Sequence, residues 1–347
     1  MSHGITKNDT MVSGMGEKPW HGLGTIVDGA LTAEQALTMG GMNWTVHKEP
    51  IYRPKKADDG KINIVRVKGF HSIVRDHDDL DLGVVSDAYE PIQNVDMFRF
   101  FDPIVAREEA MYHTAGTLFD GRRVWILAKL PGHIALKGDD LIEEYVLVTT
   151  RHDGGGSMII KPTPVRVVCN NTLTLALRQG RNKFGKKGDV NGYVIRHIGD
   201  VRGAIEQAAK AMGFVNKLYE ELAETYAAMQ AKQINEDDTM EFLKRCLRIE
   251  AADADDLPDD GSHEDEKEEK LPRALTSCLE LLETGKGMDI PANRGSLWNA
   301  YNAVTEYVDH KPSYRSDESR LNNVWFQGQG QSIKNRALRE AKELLKV

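Results

Sequence analysis

With 347 residues, 40% hydrophobic and 28% charged, the chain can build a buried core and stay dissolved, which excludes a disordered protein. No run approaches the roughly 18 apolar residues of a membrane span, and the N-terminus lacks the pattern of a signal peptide, so a cytoplasmic protein is expected. The net charge of −8 hides two opposed segments: residues 250–270 hold eleven acids against Lys267 and Lys270, whereas residues 151–202 hold ten Lys and Arg against three Asp. Cys169, Cys246 and Cys278 are odd in number and far apart, which argues against a disulfide framework or a structural zinc site.

The first forty residues read as irregular around one short helix starting at Thr32, where Thr32 and Gln35 form a capping-box pattern. Strand-like runs follow at 44–48, 62–67, 70–74 and 82–85, rich in β-branched residues. They are divided by Pro54, by Asp58-Asp59-Gly60 and by the acidic stretch 76–79, and they predict an antiparallel meander. Residues 94–105 predict a helix with Met97, Phe98, Phe101 and Val105 on one side. A second strand group begins with 115–119 and 123–130 around Asp120-Gly121, a strong hairpin signal. Segments 144–150 and 157–169 flank Asp153 and three glycines, and Pro162 and Pro164 place the second at an edge or a bulge. Asn170 and Asn171 suit the cap of a helix through Leu177, after which 179–192 is a Gly- and Lys-rich loop.

Residues 200–230 carry Val201, Ile205, Ala208, Met212, Val215, Leu218, Tyr219, Leu222 and Tyr226 at intervals of three and four. They predict one long amphipathic helix whose stripe is available to a sheet or to a second copy. A helix at 240–249 and an acidic linker at 251–270 lead to helices at 271–283, 296–309 and 331–345. The expected organisation is α+β. A core of antiparallel β-meander and hairpins with a long helix spans 1–235, a helix and acidic linker span 236–270, and a C-terminal helical region spans 271–347.

No catalytic centre is evident, and no enzyme activity, metal or other cofactor is expected. Gly154-Gly155-Gly156 lacks the Lys-Ser/Thr ending of a phosphate loop and reads as a turn. His71, Asp76, His77, Asp78 and Asp79 offer metal donors, but adjacent acids in a hairpin read better as a solvated turn. Cys169 reads as a structural thiol, because nothing local supports its pairing with His197. The basic segment is the best candidate site. Lys161 and Arg166 lie on or near a strand, and Arg178, Arg181, Lys183, Lys186 and Lys187 follow in a glycine-bearing loop with Phe184 among them. Cations for phosphates beside an aromatic ring for bases suit a single strand. Arg122 and Arg123 on the neighbouring hairpin extend this surface, with Trp125 as a second stacking ring. Leu297, Trp298, Tyr301, Val304, Tyr307 and Val308 form a helix face that reads as core, with a partner contact as the alternative.

Several stretches carry a family resemblance. They are Lys18-Pro19-Trp20-His21-Gly22-Leu23-Gly24, Leu82-Gly83-Val84-Val85, Tyr89-Glu90-Pro91-Ile92-Gln93-Asn94 and Gly121-Arg122-Arg123-Val124-Trp125. Further along they are Val165-Arg166-Val167-Val168-Cys169-Asn170-Asn171-Thr172-Leu173, and the helix from Leu297 to His310. Over nearly its whole length the chain resembles a phage/plasmid-like protein family, defined by a domain of unknown function common in bacteriophages and conjugative plasmids. The resemblance implies a bacterial host cell and carries over no catalytic residue. At fold level, strand, turn and helix over 82–105, then hairpins and a long helix, resemble the Rad52/Red-beta type of single-strand annealing protein. That implies a basic groove between sheet and helices, and assembly into rings or filaments.

The expected function is therefore single-stranded DNA binding and annealing for phage or plasmid recombination by a homo-oligomer. A host or phage protein partner is expected through the C-terminal region, and no membrane. The alternative is a phage- or plasmid-encoded protein-interaction factor, for example anti-defence, without DNA binding.

Overall fold

Residues 124–128 and 145–148 are continuous apolar runs, and a strand without polar alternation needs cover on both faces. In the computed structural model both runs lie inside a nine-stranded sheet. The structure describes residues 11–14, 25–105, 107–108, 110–166, 171–172, 193–210, 213–249, 271–314, 323–324 and 328–346.

The chain opens with β1 (Met11–Ser13), β2 (Thr25–Ile26), α1 (Ala33–Met39), β3 (Val46–Lys56), β4 (Ile62–Arg75), β5 (Leu80–Ser86) and α2 (Asn94–Val105). The central strands are β6 (Met111–Leu118), β7 (Arg123–Leu136), β8 (Asp140–Arg151), β9 (Met158–Pro162), β10 (Val165–Arg166), β11 (Asn171–Thr172) and β12 (Tyr193–Ile195). Helices follow: α3 (Val201–Lys210), α4 (Gly213–Ala231), α5 (Glu236–Leu247), α6 (Arg273–Thr284), α7 (Leu297–His310) and α8 (Gln329–Leu345). The large sheet runs β11-β10-β8-β7-β6-β1-β2, with β9 sharing an edge of β8 with β10, and β12 outside β9. Among the described residues only β1 and β2 pair in parallel. Strands β3, β4 and β5 form a separate antiparallel sheet. The fold is α+β, and no helix among the described residues is long and apolar enough to cross a membrane.

The sheet is covered on both sides. Val124, Ile126, Ala128, Val146 and Val148 pack with Ala36, Phe101, Ile205 and Tyr219 of α1 to α4. Trp125, Leu127, Tyr145 and Leu147 form a second cluster with Val308 and Val324. The capping box at Thr32 is present in both directions, Gln35 N–H to Thr32 Oγ1 at 3.1 Å and Thr32 N–H to Gln35 Oε1 at 2.9 Å.

Local expectations change where the chain meets distant segments. Residues 62–67 and 70–74 belong to one strand, β4, joined across an irregularity at Gly69, whose φ of +83° suits glycine. Of the long helix expected over 200–230, residues 201–210 (α3) and 213–231 (α4) are helical, and 211–212 lie outside the described residues. Their stripe, from Val201 and Ile205 to Tyr219, Leu222 and Tyr226, is buried in the chain's own core, so of its two expected partners the sheet takes this face. Asn171 and Thr172 pair with β10 as β11, against the ladder that Val165 and Arg166 offer, and the helix expected after them lies outside the described residues. The C-terminal helices add to the same core: Leu275, Trp298, Tyr301 and Leu338 share a cluster with Ile126 and Tyr226.

Asp140 ties these parts together. Both it and Arg166 are fully buried. Arg166 donates through Nε to Oδ1 at 2.7 Å and through Nη2 to Oδ2 at 2.5 Å. Asn293 Nδ2 at 3.0 Å and Trp298 Nε1 at 2.9 Å complete the shell around Oδ2. Arg166 lies over the Trp298 ring, 5.5 Å from its centre, and Gln230 of α4 donates to Asn293 at 2.7 Å. A buried charge persists only when its partners are this complete.

Candidate nucleic-acid interface

The residues expected to meet DNA divide three ways. Arg178, Arg181, Lys183, Phe184, Lys186 and Lys187 lie outside the described residues, as does the acidic stretch 251–270. Arg122 is exposed in the β6–β7 turn, whereas Lys161 on β9 is largely buried. Burial, with Lys334 and Arg123 nearby, lowers the Lys161 ammonium to about 7. Arg123, Trp125 and Arg166 are buried, which corrects their expected place on a solvent-facing surface. The reason is the double cover of the sheet: Trp125 fills the second core cluster, Arg166 serves Asp140, and Arg123 Nη1 reaches Thr149 Oγ1 at 3.4 Å.

A different basic surface stands clear of the body. Strand β5 pairs with β4 only over residues 70–75, so beyond that point β3 and β4 continue as a two-stranded arm. No residue from 51 to 70 is buried. The arm carries Arg53, Lys55, Lys56, Lys61, Arg66 and Lys68 against Asp58 and Asp59. Asp59 helps close the tip by accepting from the Lys61 N–H at 3.0 Å. Tyr52 is 56% exposed, Ile62 69%, Ile64 67% and Phe70 50%, so rings and aliphatic chains stand open among the cations. Facing residues share a side: Tyr52 with Arg66, Pro54 with Ile64 and Lys56 with Ile62. The signal in the sequence is the absence of an apolar side in both runs, with Lys and Arg on either face.

The root of the arm is fixed to the large sheet by residues of the Tyr89–Asn94 stretch. The Gln93 amide clips β3, donating to Val46 O at 2.8 Å and accepting from Val46 N–H at 3.0 Å. Lys48 Nζ donates to Tyr89 O at 2.8 Å and Asp87 O at 3.2 Å. Arg75 forks onto Asp78 at 2.8 and 2.6 Å and donates to Asp120 O at 2.9 Å, which brings the turn bearing Arg122 to the arm's root. The Arg75 guanidinium also lies over the Trp44 ring at 5.3 Å.

Beneath the root are two buried histidines. His152 Nε2 donates to Asn94 Oδ1 at 2.8 Å, and Asn94 Nδ2 donates to Met42 O at 2.9 Å. His197 stacks on Tyr89 at 4.5 Å and contacts Thr150 Oγ1 and Glu90 O, each at 3.1 Å. Burial pushes His152 down to about 3 and His197 down to about 4. Gly83 lets β5 approach the Asp153 turn: a methyl group there would sit 2.5 Å from Asp153 Cα. Gly83→Ala is therefore expected to lower stability by about 1–3 kcal/mol in thermal melts, and an unchanged melt would show that the contact yields freely.

Among the described residues, no group of His, Cys, Asp and Glu is placed to hold a metal ion. The arrangement instead offers an anchored cationic and aromatic ribbon suited to a polyanion.

A family model, Domain of unknown function (DUF932), matches residues 81–325. No curated protein and no solved structure matches the chain. The match takes in Gly83, Tyr89, Gln93 and Asn94 at the root, the strands from β5 to β12 and the helices through α7. Since it spans most of the sequence, including the whole centre of the large sheet, the chain belongs to the DUF932 family.

Proposed function

We propose that the chain binds single-stranded DNA through the β3–β4 arm, and that annealing of complementary strands in phage or plasmid recombination is its use. The observation that carries this reading is the open ribbon of six cations with Tyr52 and Phe70 among them. Lys and Arg meet phosphates, and rings stack on unpaired bases without regard to sequence. Arg122 extends the contact at the root. By sequence, the basic loop with Arg181, Lys183, Phe184, Lys186 and Lys187 supplies a second contact.

The test is filter binding to single- and double-stranded DNA across salt concentrations. Replacing Arg53, Lys55, Lys56 and Lys61 by alanine is expected to weaken single-strand binding for every sequence. If all four touch phosphates, the slope of log affinity against log salt falls by about 3, at roughly 0.7 per contact. Tyr52→Ala is expected to cost a further 1–3 kcal/mol or so, the usual worth of one stacked base. Unchanged affinity and slope would remove the arm from the argument. Preference for duplex would instead favour a ribbon lying in the major groove.

One feature favours the alternative, a protein-interaction factor. A cavity of about 1030 Å³ opens between α4, the end of α2 and β7, with Leu130, Pro131 and Tyr219 in its lining. Glu144, Glu220 and Glu224 line it too, and burial raises the Glu144 carboxyl. Such a groove suits a basic, partly apolar peptide.

A further inference from the structure

We propose that the outer edge of β4 pairs with the same edge of a second copy, joining two arms into a four-stranded antiparallel ribbon. This inference is independent of the DNA reading.

A two-stranded ribbon has two outer edges, and here they are treated differently. The outer edge of β3 carries Pro50 and Pro54 together with Lys55 and Lys56, the usual means of blocking an edge. Residues 62–67 of β4, Ile-Asn-Ile-Val-Arg-Val, contain neither proline nor glycine. Among the described residues they pair only with β3. Ile62 and Ile64, each about two-thirds exposed, stand on that open strand.

The pairing register follows from Pro54. It sits opposite Ile64 and has no N–H to offer, which fits a non-hydrogen-bonded pair. Asn63 and Val65 then bond to β3, while Ile62, Ile64 and Arg66 turn their backbone groups outward. Two copies related by a two-fold axis meet with those outward groups matched, so the axis falls at Ile64. Ile64 then faces the partner's Ile64, and Ile62 faces the partner's Arg66.

Charge agrees with this register. Lys68 comes opposite the partner's Gly60, beside the partner's Asp59, and symmetry repeats the contact. No like charges are brought opposite one another. The row Pro54, Ile64, the partner's Ile64 and the partner's Pro54 makes one apolar strip from residues that a single arm leaves in water. Five paired residues a side, 62–66, bury less than a permanent dimer needs, so the association is a weak one.

The experiment combines cross-linking with sedimentation equilibrium on the full chain, without DNA. Under mild oxidation Ile64→Cys is expected to give a disulfide-linked dimer. Lys55→Cys, on the blocked strand, and the parent chain with its own cysteines are expected to give none. Lys68→Asp and Asp59→Lys should each weaken the dimer roughly tenfold, since each turns both symmetric contacts repulsive. The double charge swap should restore it, and any disturbance of the tip by Asp59→Lys is shared by the double variant. A chain that stays monomeric at about 100 µM, equal cross-linking at 55 and 64, or no recovery in the double swap overturns the proposal. Filter binding on the same variants reports DNA binding separately, so the failure of one reading leaves the other standing.

Discussion

Replacing Asp140 by asparagine is expected to destabilise the fold by about 3–5 kcal/mol, the usual result of leaving one member of a buried ion pair without the other. The substitution keeps the size of the side chain but removes the charge that faces the Arg166 guanidinium at 2.5 and 2.7 Å. It also sets an amide N–H₂ against the Arg166, Asn293 and Trp298 donors. Because domains are stable by only about 5–15 kcal/mol in all, much of the margin goes. Urea unfolding followed by circular dichroism measures the loss. Adding Arg166→Met to Asp140→Asn should recover part of it, since the stranded charge is then gone. A single variant within about 1 kcal/mol of the parent would show that the pair is not what joins the helices to the sheet. Arg166→Met alone should lower stability without altering the salt slope of DNA binding, in contrast to the arm variants.

Acid should act through the histidines beneath the arm. His152 and His197 are ordinary near 6.5 when unfolded and are held to about 3 and about 4 in the fold. The unfolded chain therefore takes up protons first. Their contribution is complete above pH 6.5 and declines as the pH falls toward their folded values. At about 1.4 kcal/mol per unit of pH for each, roughly 2 kcal/mol apiece is lost by pH 5. Neighbouring charges modulate this: Asp153 favours protonation of both, and Arg75 opposes it at His152. His47, raised by Glu49 and Asp76, works in the opposite sense from an open position where solvent screens it. The change should be sharpest at the arm's root, where Asn94 and Glu90 O depend on these rings. His152→Gln should flatten the stability profile between pH 7 and 5, the interval where a histidine titrates. A profile as steep as that of the parent would place the acid sensitivity elsewhere.

Elements written in local chemistry were legible in the sequence. The Thr32–Gln35 cap, helix α2 from Asn94, the Asp120-Gly121 turn and the Ser296-capped helix α7 all follow from neighbours a few residues apart. Features that depend on distant partners were not. Arg166 reads as a free cation because its acceptor lies 26 residues earlier and the other donors to that acceptor lie far downstream. Trp125 reads as a stacking ring because an unbroken apolar run does not reveal that its second face will be covered. Pro54 and Asp58-Asp59-Gly60 read as separators between short strands, whereas one marks a blocked edge and the other the tip of the arm. The stripe of α3 and α4 was legible as a stripe, but spacing alone does not distinguish a chain's own sheet from a second copy.

Asp140 also sets a schedule for synthesis. Its Arg166 partner leaves the ribosome soon after it, but Asn293 and Trp298 follow 153 and 158 residues later. At about 5–20 residues per second, that is a delay of roughly 8–30 seconds. Throughout that interval the central strands exist while two donors to their buried carboxylate, and the helices that roof it, do not. The nascent sheet must wait with that polar seam open to water, so the time of greatest exposure to chaperones and proteases ends only when the Trp298 helix arrives.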